Sequence, residues 1–307
     1  MKTVLLTGVT GHSGQYAMER LAERIGECRD LSFRAIVRKN SNTEKLKAWG
    51  VPVEIRTGDI QDEAFVRECC RGVDTLLNIV GIIYQPETIA RIALEEGVHR
   101  IISVHTTGRY SRYKYAAAGY IENDRKVTEL CEQFGASRTI LRPTMIYGGL
   151  DDQNVSVFIR MMDRLPVMPV VNGARYPLQP VHRKDLGHAY ADVLLAPEKT
   201  ANRDYTLSGK EPIDLRDMLT AIAGHLGKKP HYFSVPYPAA YAGACLVYIL
   251  TLGKKDFREK VQRMVEPRCY PHEKATRDFG YDPVGFEEGV REEVLEYLRT
   301  RERVETD

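Results

Sequence analysis

Apolar positions fall in two alternating rhythms along the first half of the chain. Short β-branched or aliphatic runs at 3–7, 33–37, 52–56, 74–80, 99–104 and 138–142 have the length of strands. The stretches 14–25, 42–48, 61–71, 86–96 and 120–134 carry their apolar residues at helical spacing. Repeated strand–helix alternation predicts an α/β fold with a doubly wound parallel sheet, because each parallel strand needs a crossover to bring the chain back. Ligands of such sheets bind outside the carboxyl ends of the strands, where strand order reverses. Beyond residue 150 the pattern loosens, and prolines cluster at 166, 169, 177 and 180. There 205–209 and 231–235 read as strands, and 213–226, 238–252, 255–266 and 286–301 as helices. The expected division is a dinucleotide-binding domain over 1–150 and a smaller substrate lobe over 151–307, with some of its segments returning to the sheet.

The first strand runs into Thr7-Gly8-Val9-Thr10-Gly11-His12-Ser13-Gly14, and a helical pattern follows at once. Three glycines at this spacing suit a diphosphate. Gly8 turns the chain off the strand, Gly11 admits bare backbone to the pyrophosphate, and Gly14 lets helix and sheet pack closely. The amides at the helix start, with the helix dipole behind them, then meet the anion, and Thr10, His12 and Ser13 complete the loop. The second strand ends in Arg38-Lys39, where folds selective for NAD place a carboxylate for the ribose 2′-hydroxyl. A guanidinium and an ammonium suit a 2′-phosphate, which favours NADP while leaving NAD open. After the third strand, Asp59 and Ile60 can meet an adenine edge and face, or can form a turn and a core contact. Asn78-Ile79-Val80-Gly81 closes the fourth strand, where Asn78, Val80 and Gly81 border the expected cofactor.

Composition narrows the partners. A net charge of +2 over 307 residues provides no basic field for nucleic acid. The six cysteines show neither metal-ligand spacing nor a secreted disulfide framework, so no metal site is expected, and reduced thiols suit the cytoplasm. A core strand starting at the N-terminus leaves no room for a signal peptide. The apolar run 239–252 is too short for a bilayer span, which takes about twenty residues. It reads as a buried helix or a wall of the substrate lobe, with no peripheral membrane contact expected.

Further motifs carry a resemblance. They are Gly58-Asp59-Ile60, Leu141-Arg142-Pro143-Thr144-Met145-Ile146-Tyr147-Gly148, Pro180-Val181-His182 with Asp185, and Lys274-Ala275 with Phe279-Gly280-Tyr281-Asp282-Pro283. Together with the glycine loop, the chain resembles the extended and atypical short-chain dehydrogenase/reductase superfamily, in its NAD(P)-dependent epimerase/dehydratase and NmrA-like branch. The resemblance implies a Rossmann domain with a small C-terminal substrate lobe. It also implies Pro143, Thr144, Met145 and Ile146 on the nicotinamide side, and allows a homodimer.

Active members of that superfamily carry a Ser or Thr after the fifth strand and a Tyr-x-x-x-Lys on the next helix. Tyr and Lys one turn apart share a face, so the ammonium can steady a phenolate that exchanges a proton with substrate. Here Thr106 and Thr107 are the candidate orienting hydroxyls and Tyr120 stands at the tyrosine position. Four residues later comes Asp124, which opposes a phenolate, and Lys126 could substitute only through a local irregularity. A literal match, Tyr110-Ser111-Arg112-Tyr113-Lys114, lies early and reads as a loop or lid. His105 is either an acid/base or a structural histidine. The expected function is an NAD(P)-dependent oxidoreductase or epimerase/dehydratase acting on a hydroxyl or carbonyl of a small molecule, with nucleotide-linked molecules included. A non-catalytic NADP(H)-binding sensor or regulator is the alternative.

Overall fold

The computed structural model describes residues 1–80 and 85–306. Strands and helices alternate as β1 (Lys2–Thr7), α1 (Gly14–Glu23), β2 (Leu31–Val37), α2 (Glu44–Ala48), β3 (Val53–Thr57), α3 (Glu63–Cys70) and β4 (Thr75–Asn78). They continue as α4 (Pro86–Glu95), β5 (Arg100–Val104), α5 (Ala117–Gln133) and β6 (Ser137–Pro143). A seventh strand, Arg203–Leu207, joins the edge beside β6. The sheet order is therefore Arg203–Leu207, β6, β5, β4, β1, β2, β3, with every neighbouring pair parallel. Strand order reverses between β1 and β4, which puts the ligand crevice at the ends of these two strands.

Both faces of the sheet are covered, which is why its strands read as unbroken apolar runs. In β1 successive side chains alternate between layers: Val4 and Leu6 enter one buried cluster with Met18 and Leu21 of α1, while Leu5 enters another with Val66, Ile92 and Val127. The first layer is completed from beyond residue 150. The helix Arg183–Leu195 lies on α1 so closely that a Cβ on Gly187 would stand 2.4 Å from the Ser13 carbonyl oxygen. Arg100 of β5 is buried beneath that helix's last turn and donates to the carbonyls of Val193 and Leu194 at 2.7 and 2.8 Å. The guanidinium thus satisfies carbonyls that a helix end leaves without partners. A separate core, around Tyr147, Ile159, Met162, Met218, Ile222 and Val290, gathers residues of the second lobe.

Two expectations are corrected. The helix at 237–250 is not buried: Ala244 is its only buried residue. β4 ends at Asn78, two residues short of the expected 80. Gly81 lies outside the described residues. The six cysteines are all free, and burial on α3 pushes the Cys69 and Cys70 thiols up to about 11 and about 12.

The last helix, Phe286–Thr306, buries a carboxyl group. Glu293 is 1% exposed and accepts from the Gly148 N–H at 2.9 Å. Burial, reinforced by Asp152, pushes its carboxyl up to about 9. A carboxyl group raised above its unfolded value favours folding most at low pH, and its contribution is lost as pH rises from about 4.5 towards 9. Glu293→Gln is therefore expected to flatten the fall of stability across that window, by up to about 1.4 kcal/mol per pH unit. Urea unfolding at a series of pH values reads the slope directly.

Candidate functional site

At the switch point the glycine loop is packed as its spacing requires. Gly8 has φ +75°, and a Cβ on it would stand 2.8 Å from Cγ1 of Val80. The Gly11 N–H donates to the Gly8 carbonyl at 2.9 Å, and a Cβ on Gly14 would lie 2.0 Å from that same oxygen. No side chain larger than hydrogen fits at residue 14 while α1 keeps its place. α1 begins at this loop, its Gln15 and Tyr16 N–H groups donating to the Gly11 and Ser13 carbonyls, both at 3.1 Å. Thr10 Oγ1 lies 3.4 Å from Ser41 Oγ and ties the loop to the turn after β2. His12 pairs with Asp151, so the loop is also tied to the second lobe. Asn78 works from inside: its carboxamide oxygen accepts from Thr7 Oγ1 at 2.7 Å, joining β1 to β4.

Beyond the ends of β2 and β3 lies an open cavity of about 700 Å³, lined by Arg38, Lys39, Asn40, Gly58, Asp59 and Gln61. Among the described residues, no carboxylate stands within ion-pair distance of Arg38 or Lys39. Asp59 caps a turn, accepting from the Gln61 N–H at 2.9 Å, and Ile60 packs at the edge of the core with Phe65. These contacts are those of a turn and a core edge, and Asp59 also borders the cavity.

A second cavity, of about 260 Å³, opens beyond β5 and β6. Its sheet side is formed by Thr106, Thr107, Lys114, Thr144, Met145 and Ile146. Pro143 sits just behind, its carbonyl accepting from Thr107 Oγ1 at 3.0 Å. Thr106 Oγ1 accepts from the Gly108 N–H at 3.0 Å, which leaves its own proton free to donate. The lobe side is formed by Asn154, Gln179, Arg263, Arg268 and Tyr270. Gln179 is held at both ends of its carboxamide, donating to the Gly209 carbonyl at 2.8 Å and accepting from the Tyr270 N–H at 2.9 Å. Arg268 differs. Among the described residues no carboxylate stands within ion-pair distance of its guanidinium, its buried Nε has no hydrogen-bond partner, and burial lowers it to about 10. A half-buried cation on a cavity wall, with Glu266 near it but beyond ion-pair distance, is a place for an anion.

The candidate proton relay is rearranged. Tyr120 lays its ring over Gly108, beside the Lys114 stem: a Cβ on Gly108 would meet Tyr120 Cε2 at 3.0 Å and Lys114 Cδ at 3.3 Å. Lys126 corrects the expectation. It faces α4, with Nζ 3.9 Å from Glu87, and does not line the cavity. Six helical positions from Tyr120 carry it well round the helix axis. Asp124 does not oppose a phenolate in the cavity either, because it is buried in an ion network. It bonds His105 and Arg109, and accepts from Arg142 Nε and Nη2 at 2.9 and 2.7 Å. His105, with Ser103 Oγ 3.0 Å from its Nε2, is a structural member of that network. The Tyr110–Lys114 stretch behaves as part of a clamp. Ser111 Oγ donates to Glu266 at 2.7 Å, and Lys114 lies 3.5 Å from Glu259. Sequence reasoning missed Arg263, Arg268 and Tyr270, which approach the cavity from the far end of the chain and belong to no spaced motif.

This fold, a seven-stranded parallel sheet with a glycine loop at the point where strand order reverses, is a doubly wound, Rossmann-like one. The chain belongs to the NmrA-like family, whose model matches residues 1–264. It is 24% identical to the 2-alkyl-3-oxoalkanoate reductase of Stenotrophomonas maltophilia, over 94% of this chain and 97% of that one. Among solved structures it resembles the dTDP-glucose 4,6-dehydratase DesIV of Streptomyces venezuelae, with NAD bound, at a TM-score of 0.70 and 18% identity over 97% and 98% of the two chains. The Citrobacter triphenylmethane reductase in complex with NADP(H) is similar at a TM-score of 0.68 and 18% identity, over 94% and 99%. No helix among the described residues is long and apolar enough to cross a membrane.

Proposed function

We propose that this chain is an NADP-dependent reductase of a carbonyl group on a small anionic molecule. The observation that carries the reading is the Arg268 guanidinium, without a carboxylate within ion-pair distance among the described residues, on a cavity at the carboxyl ends of β5 and β6. The glycine loop and the start of α1 fit a diphosphate, because Gly8 turns the chain at φ +75° and Gly14 admits no side chain against the Gly8 carbonyl, which holds the loop tight at the helix start. Arg38 and Lys39 fit a 2′-phosphate. A bound nicotinamide supplies the hydride. The protein does the rest. Arg268 takes the anionic group, Thr106 donates a hydrogen bond to the carbonyl oxygen, and Tyr120, whose ring lies over the cavity-lining Gly108 beside the Lys114 stem, supplies the proton. In this reading Lys114, which lines the cavity with its stem beside the Tyr120 ring, takes over from the lysine that Asp124 replaces. The 2-alkyl-3-oxoalkanoate reductase relative supports 3-oxo acids as the first substrates to try.

NADPH oxidation followed by absorbance, with 3-oxo acids of graded chain length and with nucleotide-linked sugars, tests the reading. Turnover of the acids, faster with NADPH than with NADH and about 10²-fold slower in Tyr120→Phe, is expected. NADPH binding without turnover of any of these compounds contradicts it and favours the sensor. That second reading draws on Asp124, which occupies the usual lysine position and is committed to its ion network.

A further inference from the structure

A surface helix ordinarily turns polar residues to solvent. The helix Tyr237–Leu250 does the reverse. It contains no charged residue, and its outward positions Ala239, Ala242, Gly243, Leu246, Ile249 and Leu250 recur at helical spacing without one polar side chain. Leu246, Ile249 and Leu250 are 56%, 66% and 72% exposed, and Leu252 just beyond is 90% exposed. Isolated exposed leucines are ordinary, but a contiguous apolar stripe marks a surface with a partner.

The chemistry around the stripe says which partner. Lys254, Lys255 and Lys260 follow directly, and none has a carboxylate within ion-pair distance among the described residues. Neighbouring Arg258 is neutralised by Asp256 at 2.7 Å. We propose that this face docks on an anionic lipid surface, with the stripe in the acyl boundary and the three ammoniums among the headgroup phosphates. Fourteen residues give a helix of about 21 Å, short of the roughly 30 Å hydrocarbon core, so it lies along the interface. A second copy of the chain fits less well, since a two-fold contact on this face would bring its unpaired lysines towards their own counterparts. The docking helix is linked to the cavity beyond β5 and β6 through its neighbour. It packs on the helix Arg258–Met264, which supplies Arg263 to the cavity and Glu259 to Lys114. The proposal stands apart from the catalytic reading and survives if no reductase activity is found.

Sedimentation of the full chain with sucrose-loaded vesicles tests it. Wild type is expected to pellet with phosphatidylcholine vesicles containing phosphatidylglycerol, at least about tenfold more strongly than with phosphatidylcholine alone, and to be released by salt. The exposed triple variant L246S/I249S/L250S is expected to lose binding at an unchanged melting temperature. K254Q/K255Q/K260Q is expected to weaken it by about 10²-fold, roughly fivefold for each lysine. Wild type remaining in the supernatant with anionic vesicles overturns the proposal, as does equal pelleting of the apolar triple variant. A dimer in analytical ultracentrifugation that L246S/I249S/L250S dissociates, with no vesicle binding by wild type, assigns the face to a second copy instead.

Discussion

Asp124→Ala is expected to cost about 3–5 kcal/mol of folding stability, a large part of the roughly 5–15 kcal/mol that keeps a protein folded. Asp124 is 4% exposed and its partner Arg142 is 3% exposed. Removing the carboxylate leaves Arg142 with one remaining carboxylate, Asp204 at 3.0 Å, and leaves His105 Nδ1 without its acceptor. A buried cation cannot be rehydrated in place, so the cost comes from the charge left behind rather than from the bond lost. Replacing both members, as Asp124→Leu with Arg142→Met, is therefore expected to recover most of the loss. Urea unfolding of the single and double variants separates the two contributions. The same network sets an acid limit. Burial would raise the Asp124 carboxyl, but the His105 hydrogen bond and charge, with Arg142, outweigh it and hold it at about 2. A carboxyl group lowered below its unfolded 3.8 adds stability above that value, and this stability is lost as pH falls through about 2. Asp124→Ala should lack that part of the acid transition.

The second large effect falls on activity and spares the fold. Arg268→Gln is expected to lower kcat/KM for an anionic carbonyl substrate by about 10²-fold, mainly through KM, because a desolvated guanidinium–anion contact contributes about 2–5 kcal/mol. Its melting temperature should be unchanged or higher, since the substitution removes a half-buried cation that has no carboxylate partner among the described residues. Loss of activity together with loss of stability would mark Arg268 as a structural residue. Steady-state kinetics paired with calorimetry on one preparation distinguish these outcomes.

Much of the fold was legible because parallel strands buried on both faces leave unbroken apolar runs and their crossover helices leave stripes. The glycine loop was legible because each glycine answers to a local contact, such as Gly14 against the Gly8 carbonyl. The helix Arg183–Leu195 escaped because it is buried on most sides and carries no stripe to read. The run at 239–252 misled because apolar composition alone does not separate a core helix from one that faces outward. At the site, spacing along α5 set Asp124 and Lys126 against a motif, but their roles depend on what each meets. Asp124 meets Arg142 from β6, and Lys126 meets Glu87 from α4. Arg268 reaches the cavity through a bridge beside Leu178, ninety residues away in sequence, which no local pattern encodes.

The anion-binding role proposed for the cavity is tested most directly by a matched pair of compounds, a 3-oxo acid and its neutral methyl ester, with NADPH as reductant. If Arg268 receives the carboxylate, kcat/KM for the acid exceeds that for the ester by about 10²-fold, and Arg268→Gln removes most of the difference. Equal kcat/KM for acid and ester in the wild-type protein would contradict it.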